Sequence, residues 1–326
     1  MHQREQAELM VILDHLVDKQ HPYRALERLF DFERLCRPLE GLYSGYGRKD
    51  FGIERAFKML LLQFMEDVSD REMERFMREN TAARWFCGFG LMERTPDHSY
   101  FGSFRKKLGT SRLMDIFNII RDTLKSEGYL REMFTFVDAS ALVSKLSTWS
   151  DRDKAIAEGH ETFNNVTASK VAADKQARFG CKGKDKYWYG YKEHVSVDMQ
   201  SGLINKIAIT PADITDAQGL KHVCPKNTII YGDKGYCIGP ATQTIRANGC
   251  ENATIRKNNM KGKNKEQDHY RSKMRAPYER VFSKRSKQVK YKGLMKIQFL
   301  SAMQAICHNF KRLLSFDAGE LQLVMG

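Results

Sequence analysis

The stretch YGYKEHVSVDMQSGLINKIAITPADITDAQGLKHVCPKNTIIY, residues 189–231, decides the fold class. Residues 189–198 alternate, with the polar residues His194, Ser196 and Asp198 opposite Val195 and Val197, which predicts a strand with two different faces. Gln200-Ser201-Gly202 supplies a turn, and residues 203–209 return as a second strand. Residues 213–223 fit a helix, and residues 228–231 form a short apolar run typical of a buried strand.

The elements on either side extend this pattern. Upstream, the apolar run 133–137 predicts a buried strand that ends at Asp138, followed by a polar stretch from about 147 to 186. Downstream, we expect a helix at 240–247, a strand at 253–255 and helices at 277–286 and 294–314. A strand, a hairpin, and then alternating helices and strands indicate an α/β architecture with a mixed sheet flanked by helices.

The first 130 residues have a helical pattern instead. Residues 53–67 carry apolar side chains at helical spacing, and Ser69-Asp70-Arg71-Glu72 is a capping box that opens a second helix. The pair 53–66 and 69–78 resembles a helix-turn-helix, although any helical bundle yields such pairs. We therefore predict an all-α domain over 1–130, an α/β domain over 131–315 and a C-terminal tail over 316–326.

Composition narrows the class of protein. The chain has 326 residues, of which 42% are hydrophobic and 29% charged, as in ordinary globular proteins. No apolar run is long enough to span a membrane, and the N-terminus MHQREQAELM lacks the pattern of a secretion signal. The seven cysteines are scattered without a C-x-x-C pair, so we expect no disulfides, no structural zinc and a cytoplasmic location.

The positive charge is concentrated near the C-terminal end. The formal net charge is +14, and residues 256–296 hold 15 Lys or Arg against 3 Asp or Glu. Such a field attracts a polyanion, because phosphate contacts release condensed counterions. A solvated basic face or tail is the alternative, but apolar residues such as Tyr278, Phe282 and Leu294 interrupt the run and favour a packed segment.

Three carboxylates are candidates for metal-dependent phosphoryl transfer. Asp138 and Asp233 each follow an apolar strand-like run, and Glu279 follows Pro277, which favours a helix start. Strand ends of α/β sheets form ligand crevices, and clustered carboxylates suit two divalent cations that stabilise the attacking and leaving oxygens. The chain has 40 acidic residues, however, and an Asp after a strand is often only a turn former.

The motifs, taken in order, resemble a known family. These are FTFVDASAL (134–142), AADKQARFG (172–180), YGYKEHVSVDMQSGLINKIAITPADITDA (189–217), IIYGDKGY (229–236) and YERVFSKRS (278–286), with LYSGYGRKDFGIERAFKMLLLQ (42–63) and TPDHSYFGSFRKKLG (95–109) before them. Together they resemble the bacterial insertion-sequence transposases of the DDE type, especially the insertion-sequence-five group. The resemblance covers roughly residues 40 to 314.

The resemblance implies a ribonuclease H-like catalytic domain in which Asp138, Asp233 and Glu279 are catalytic and bind Mg²⁺, for which Mn²⁺ substitutes. The family carries a Tyr, Arg, Glu, Lys signature around this glutamate. Arg275 fits the Arg position, but Ser272 stands at the Tyr position and Ser286 at the Lys position.

Further residues are candidates for DNA contact. Lys284 and Lys287 either hold a phosphate near the cut or make general DNA contacts, and Arg280 joins them in the basic stretch. Lys234 either neutralises a phosphate or points to solvent from a turn. We interpret His194 as a hydrogen-bonding residue of the hairpin and not as a metal ligand.

The function that we expect is DNA transposition. The helical domain over 1–130 would bind DNA and recognise the terminal inverted repeats of the element, and the domain over 131–315 would carry catalysis. The chain would cut and join double-stranded DNA as a homodimer or larger assembly, associated with the nucleoid. A non-catalytic DNA-binding relative and a structure-specific nuclease of the same fold are the alternatives. A small-molecule hydrolase would leave the basic stretch without a purpose.

Overall fold

The computed structural model describes residues 12–42, 51–144, 157–158, 164–182, 186–260, 263–283, 288–289 and 291–316. By contacts between residues, the chain divides into two compact units. One consists of Met1–Thr123 with Ala302–Gly326, and the other of Leu124–Ser301. Within the described ranges, no helix combines the length and the apolar character needed to cross a membrane.

The first unit is helical, as the sequence predicts. Its described helices include α1 (Pro22–Leu29), α2 (Phe32–Cys36), α3 (Ile53–Met65), α4 (Asp70–Glu79), α5 (Thr81–Phe86) and most of α6 (His98–Ser126), which is broken at Gly109. The predicted capping box is present at the start of α4: the Ser69 side chain accepts from the Glu72 amide, and the Glu72 carboxylate accepts from the Ser69 amide.

The C-terminal helix α11 (Leu294–Ser315) explains why the first unit is discontinuous. The Phe310 ring stacks on Phe30 at 4.4 Å and lies edge-on to Phe32 at 6.3 Å. Residues from 302 onward therefore group with the helical unit, whereas the sequence pattern predicted a second domain that extends to residue 315. The functions predicted for the two domains stay predictions.

The second unit contains a mixed sheet. In the described part of the chain the strands are β1 (Phe134–Ser144), β2 (Arg178–Lys182), β3 (Lys186–Asp198), β4 (Ile204–Pro211), β5 (Ile229–Tyr231), β6 (Glu251–Asn252) and β7 (Gln288–Val289). β1 is central, antiparallel to β3 on one side and parallel to β5 on the other. β4 and β2 pair with successive parts of β3, and β6 pairs with β5. The predicted hairpin and mixed sheet are confirmed.

Helices cover the sheet. The second unit has α7 (Asn165–Val171), α8 (Asp216–Val223), α9 (Gly239–Ala247) and α10 (Lys265–Ser283), as well as the start of α11. α8 and α9 pack on the face that carries Val137, where Leu220, Ile230 and Ile245 form a buried cluster. α10 packs on the face that carries Phe136, since the Tyr278 ring lies 6.1 Å from the Phe136 ring. This arrangement confirms the predicted α/β architecture with flanking helices.

Several boundaries differ from the prediction. β1 does not end at Asp138 but continues to Ser144, because its backbone stays paired with β3 as far as Gly190. The polar stretch after it contains α7 and β2. The helix that carries Glu279 does not begin at Pro277 but at Lys265, because the Asn264 side chain accepts from the amides of Glu266 and Gln267 and so caps an earlier start.

Candidate active site

The strand register brings Asp138 and Asp233 to neighbouring positions. β1 and β5 are parallel, and their pairing ends with Phe136 opposite Tyr231. Asp138 lies two residues beyond that last pair on β1, and Asp233 lies two residues beyond it, just after the end of β5; paired strands in a sheet are about 4.8 Å apart. The two residues are therefore neighbours where the sheet opens between β1 and β5, and the charge of Asp233 acts on the Asp138 carboxyl.

Asp138 lies in an environment that opposes its ionisation. The pKa of its carboxyl is raised from the usual 3.8 to about 6, chiefly by burial and also by the charges of Asp233 and Asp216, against the lowering effects of the Ala139 amide and Arg275. The Ala139 amide donates to Asp138 Oδ1 at 2.8 Å. A cation bound here would remove the repulsion between these carboxylates, so the site favours positive charge.

A tight turn after β5 fixes Asp233. Its Oδ1 accepts from the Gly235 amide at 2.7 Å and caps a short 3₁₀ helix, Lys234–Cys237. Tyr236 in this turn is fully buried in the core cluster with Val137, and burial raises the pKa of its hydroxyl well above the usual value. Lys234 is exposed, which agrees both with neutralising a phosphate and with pointing to solvent from the turn.

Glu279 reaches the same region from α10. Its carboxylate is 56% exposed and accepts from Arg275 Nη2, one turn earlier, at 3.2 Å. The Arg275 side chain is 9% exposed, and its guanidinium lies 5.6 Å from the centre of the Phe136 ring on β1. Arg275 thus connects Glu279 to the strand that carries Asp138. Pro277 lies inside this helix, where it lacks the amide that would donate to residue 273.

One cavity brings two of the three predicted carboxylates together. Its volume is about 300 Å³, and Asp138 and Glu279 both line it; Asp233 is not among its lining residues. Three lining residues that sequence reasoning missed are Asp216, Lys192 and Trp188. Lys192 Nζ lies 2.8 Å from Asp216 Oδ1 and 5.8 Å from the centre of the Trp188 ring.

The position of Asp216 follows from the way α8 is seated on the sheet. Thr215 and Gln218 form a capping box at the start of α8, which places Asp216 in its first turn. Gly219 lies directly against the His194 ring of β3: a Cβ there would stand 2.0 Å from Cε1 and 2.4 Å from each ring nitrogen. Only a glycine lets the helix approach β3 this closely. The Thr-x-x-Gln pattern just after the hairpin was a sequence signal for this helix start.

His194 lies beneath α8 and not on an open polar face. It is fully buried, its Nε2 is 2.9 Å from Thr210 Oγ1, and its Nδ1 has no partner among the described residues. Burial lowers the pKa of its imidazole to about 4, so the ring is neutral at physiological pH. The ring therefore packs α8 against the hairpin as an uncharged group.

The donor atoms around the cavity suit a hard divalent cation. Asp138, Asp233 and Glu279 offer only oxygen ligands, which Mg²⁺ and Mn²⁺ prefer. Within the described ranges, no three His, Cys, Asp or Glu side chains are close enough together to hold a metal ion as they stand. The fit therefore lies in the chemistry of the donors and in the burial and neighbouring carboxylates that raise the pKa of Asp138, and not in a formed coordination sphere.

The structure describes the predicted DNA contacts only in part. Lys284 and Lys287 lie outside the described residues, and of Arg280 only the backbone, within α10, is described. Arg275 is buried and paired with Glu279. The basic stretch is helical over α10 and the start of α11, so these parts of it are not an unstructured tail. Met295, another apolar residue of the stretch, is 57% exposed.

Comparison with known protein families agrees with this architecture. Residues 11–107 match the family described as "Transposase domain (DUF772)", and residues 153–310 match "Transposase DDE domain". Together the two matches cover more than three quarters of the chain. The chain belongs to the DDE transposases, a family of DNA-transposing enzymes that use divalent metal ions.

This membership confirms the family and the ribonuclease H-like fold predicted from the motifs. Assignment to the insertion-sequence-five group stays a prediction. The DDE match includes Asp233 and Glu279 but begins after Asp138, so the place of Asp138 in the site depends on the strand register described above.

Among solved structures, the chain is similar to one described as "Mos1 transposase paired-end complex with left transposon end". The identity is 8%, the similarity covers 96% of this chain and 97% of that one, and the TM-score is 0.18. A TM-score this low supports no inference about the fold or function of this chain.

Proposed function

We propose that this chain is the transposase of an insertion sequence, which binds the terminal inverted repeats of its element, cuts the DNA at the element's ends and joins the freed 3′ ends to target DNA. The observation that carries the proposal is the neighbouring position of Asp138 and Asp233 at the sheet opening, with Glu279 on the same cavity as Asp138. Family membership supports the reaction class, and the oxygen donors support metal dependence.

Asp138, Asp233 and Glu279 would hold the metal ions, which we propose to be Mg²⁺ with Mn²⁺ as a substitute. When bound, such ions stabilise the charge on the attacking and leaving oxygens of phosphoryl transfer. Asp138 must be ionised to bind a cation, and with a pKa of about 6 in the metal-free protein it is mostly ionised at pH 7. Arg275 would hold Glu279 towards the cavity through their ion pair.

DNA would be held by the basic stretch and by the helical unit. Arg256, Lys257, Lys265, Lys273 and Lys292 are exposed cations of that stretch. We propose that they contact the phosphate backbone together with Lys234, Arg280, Lys284 and Lys287, and that Arg275 also contributes to DNA binding. The two ends of an element must be processed together, so we propose a dimer or larger assembly on DNA. We also propose a cytoplasmic, nucleoid-associated location.

The test is cleavage of a plasmid that carries the DNA flanking the coding region, in Mg²⁺ or Mn²⁺. We expect Asp138→Asn, Asp233→Asn and Glu279→Gln each to lower the cleavage rate by at least about 100-fold, as loss of a group that stabilises the transition state does. The exposed Asp213, outside the cavity, provides the control Asp213→Asn, which should cut like the parent.

The outcomes separate the alternatives. If Asp138→Asn or Glu279→Gln cuts as fast as the parent, the proposed site is wrong. Salt-sensitive binding without metal-dependent cutting would indicate a non-catalytic DNA-binding protein. Cutting without joining of a pre-cut end to a second duplex would indicate a nuclease.

A further inference from the structure

We propose that Lys192 binds a phosphate of the DNA strand in the active-site cavity, and that Asp216 is the positioning residue that holds its ammonium there. The inference rests on the proposed function and adds a substrate-binding residue to it. Neither residue belongs to the acidic triad or to the basic stretch.

Lys192 is a buried cation on a strand. Its side chain is 11% exposed, in the middle of β3, where its backbone pairs with Ala141 of β1. Placing an ammonium in such a position costs free energy, which a partner must offset. Asp216 supplies that partner at 2.8 Å.

Both members of the pair line the same cavity as Asp138 and Glu279. Carboxylates on the cavity wall repel a DNA phosphate, so a cation within the cavity favours entry of the strand. Lys192 presents an ammonium there, with further N–H donors besides the one directed at Asp216. Lys192 Nζ lies 2.8 Å from Asp216, whose charge acts on the Asp138 carboxyl in the same cavity. The contacted phosphate is therefore either the one that is cut or one close to it.

The surrounding residues hold this pair in place. The capping box of Thr215 and Gln218 fixes the first turn of α8, and the close contact of Gly219 with His194 seats the helix on β3. The centre of the Trp188 ring lies 5.8 Å from the Lys192 ammonium. A purely structural ion pair would have the same geometry, so the experiment must separate fixing α8 from binding phosphate.

The experiment measures binding without metal. The probe is a duplex made from the DNA that flanks the coding region, ending at the predicted cut, with single neutral methylphosphonates placed at the cut position and at the two positions on either side. We expect Lys192→Met to weaken binding of the unmodified duplex about tenfold, the effect of removing one charge-assisted hydrogen bond. One methylphosphonate should weaken binding to the parent protein by a similar factor and have no further effect in Lys192→Met.

Two matched variants complete the design. The double variant, Lys192→Met with Asp216→Asn, removes both charges, so no unpaired carboxylate remains. If Lys192 binds phosphate, the double variant should still bind the duplex about tenfold more weakly than the parent does. Lys206→Met removes another strand lysine, which donates to the Cys224 carbonyl and does not line the cavity, and it should respond to every methylphosphonate like the parent.

Two results would overturn the proposal: binding by the double variant at the parent's affinity, or methylphosphonate effects that are equal in the parent and in Lys192→Met. If either occurs in a protein that still cuts its ends, the proposed function stands without this contact. A methylphosphonate at one position could weaken binding to the parent and not to Lys192→Met in a protein that binds the duplex but does not cut it. That result would support the contact between Lys192 and phosphate and count against the catalytic part of the proposed function.

Discussion

Replacing Asp138 with asparagine should stabilise the metal-free protein, although it lowers the rate of DNA cleavage. Burial raises the pKa of Asp138 from the usual 3.8 to about 6. Below pH 3.8 the group is protonated in both the folded and the unfolded state and has no effect. Between pH 3.8 and about 6 the unfolded state releases the proton first, so the free energy of unfolding falls as the pH rises, and the loss persists above pH 6.

The expected size of the effect follows from the two pKa values. At about 1.4 kcal/mol for each pH unit, the difference between 3.8 and about 6 corresponds to about 3 kcal/mol. In the presence of a chelator, Asp138→Asn should therefore exceed the parent in free energy of unfolding by up to about 3 kcal/mol at pH 7.5, and by nearly nothing at pH 3.5. Asparagine keeps the oxygen that accepts from the Ala139 amide.

The measurement must report on the second unit, because the chain forms two compact units that need not unfold together. Urea unfolding followed by pulsed hydrogen exchange and mass spectrometry of peptides from β1 and β3 meets this requirement. The control Asp213→Asn alters an exposed carboxylate outside the cavity and should stay within about 0.5 kcal/mol of the parent.

Two results would refute this explanation of the Asp138 environment: a stability of Asp138→Asn no greater than that of the parent at pH 7.5, or an advantage that does not change between pH 3.5 and 7.5. Added Mg²⁺ provides an independent check. It should stabilise the parent and not Asp138→Asn, because ligand binding to the folded state raises its stability.

Two further predictions follow from the packing and the charge. Gly219→Ala should destabilise the second unit by about 1–3 kcal/mol and slow plasmid cleavage, because the new Cβ would overlap the His194 ring. The control is Gly239→Ala, whose Cβ would meet no atom within 4 Å. Equal stability of the two variants would contradict the predicted overlap. Replacing the exposed Lys257, Lys265 and Lys273 together with glutamine should reduce the slope of log binding constant against log salt by about 0.9 for each phosphate that is no longer neutralised. Exposed Lys226 replaced alone should leave the slope unchanged, and an unaltered slope in the triple variant would exclude this surface from DNA binding.

The sequence determined the elements whose signals are local. Alternation of polar residues and valines predicted the hairpin of β3 and β4, and apolar runs predicted β1 and β5. Ser69 and Glu72 predicted the start of α4, because a capping box consists of four consecutive residues. The motif order predicted the transposase family, and with it the choice of Asp138, Asp233 and Glu279.

Only the tertiary structure decided where those residues lie relative to one another. The apolar run stops at Asp138, but pairing with β3 extends β1 to Ser144, and hydrogen bonds to another strand cannot be read from the run itself. Pro277 suggested a helix start, yet Asn264 caps the helix earlier.

The composition of the site also depends on contacts between residues distant in sequence. Asp216 is one of 40 acidic residues, and nothing in its local sequence distinguishes it as part of the cavity. It lies there because Gly219 lets α8 approach His194 and because Lys192, 24 residues earlier, offers its ammonium at 2.8 Å. The sequence alone therefore determined the hairpin, the capping box at the start of α4 and the family, whereas the wall of the cavity around Asp138 depends on the packing of α8 on β3.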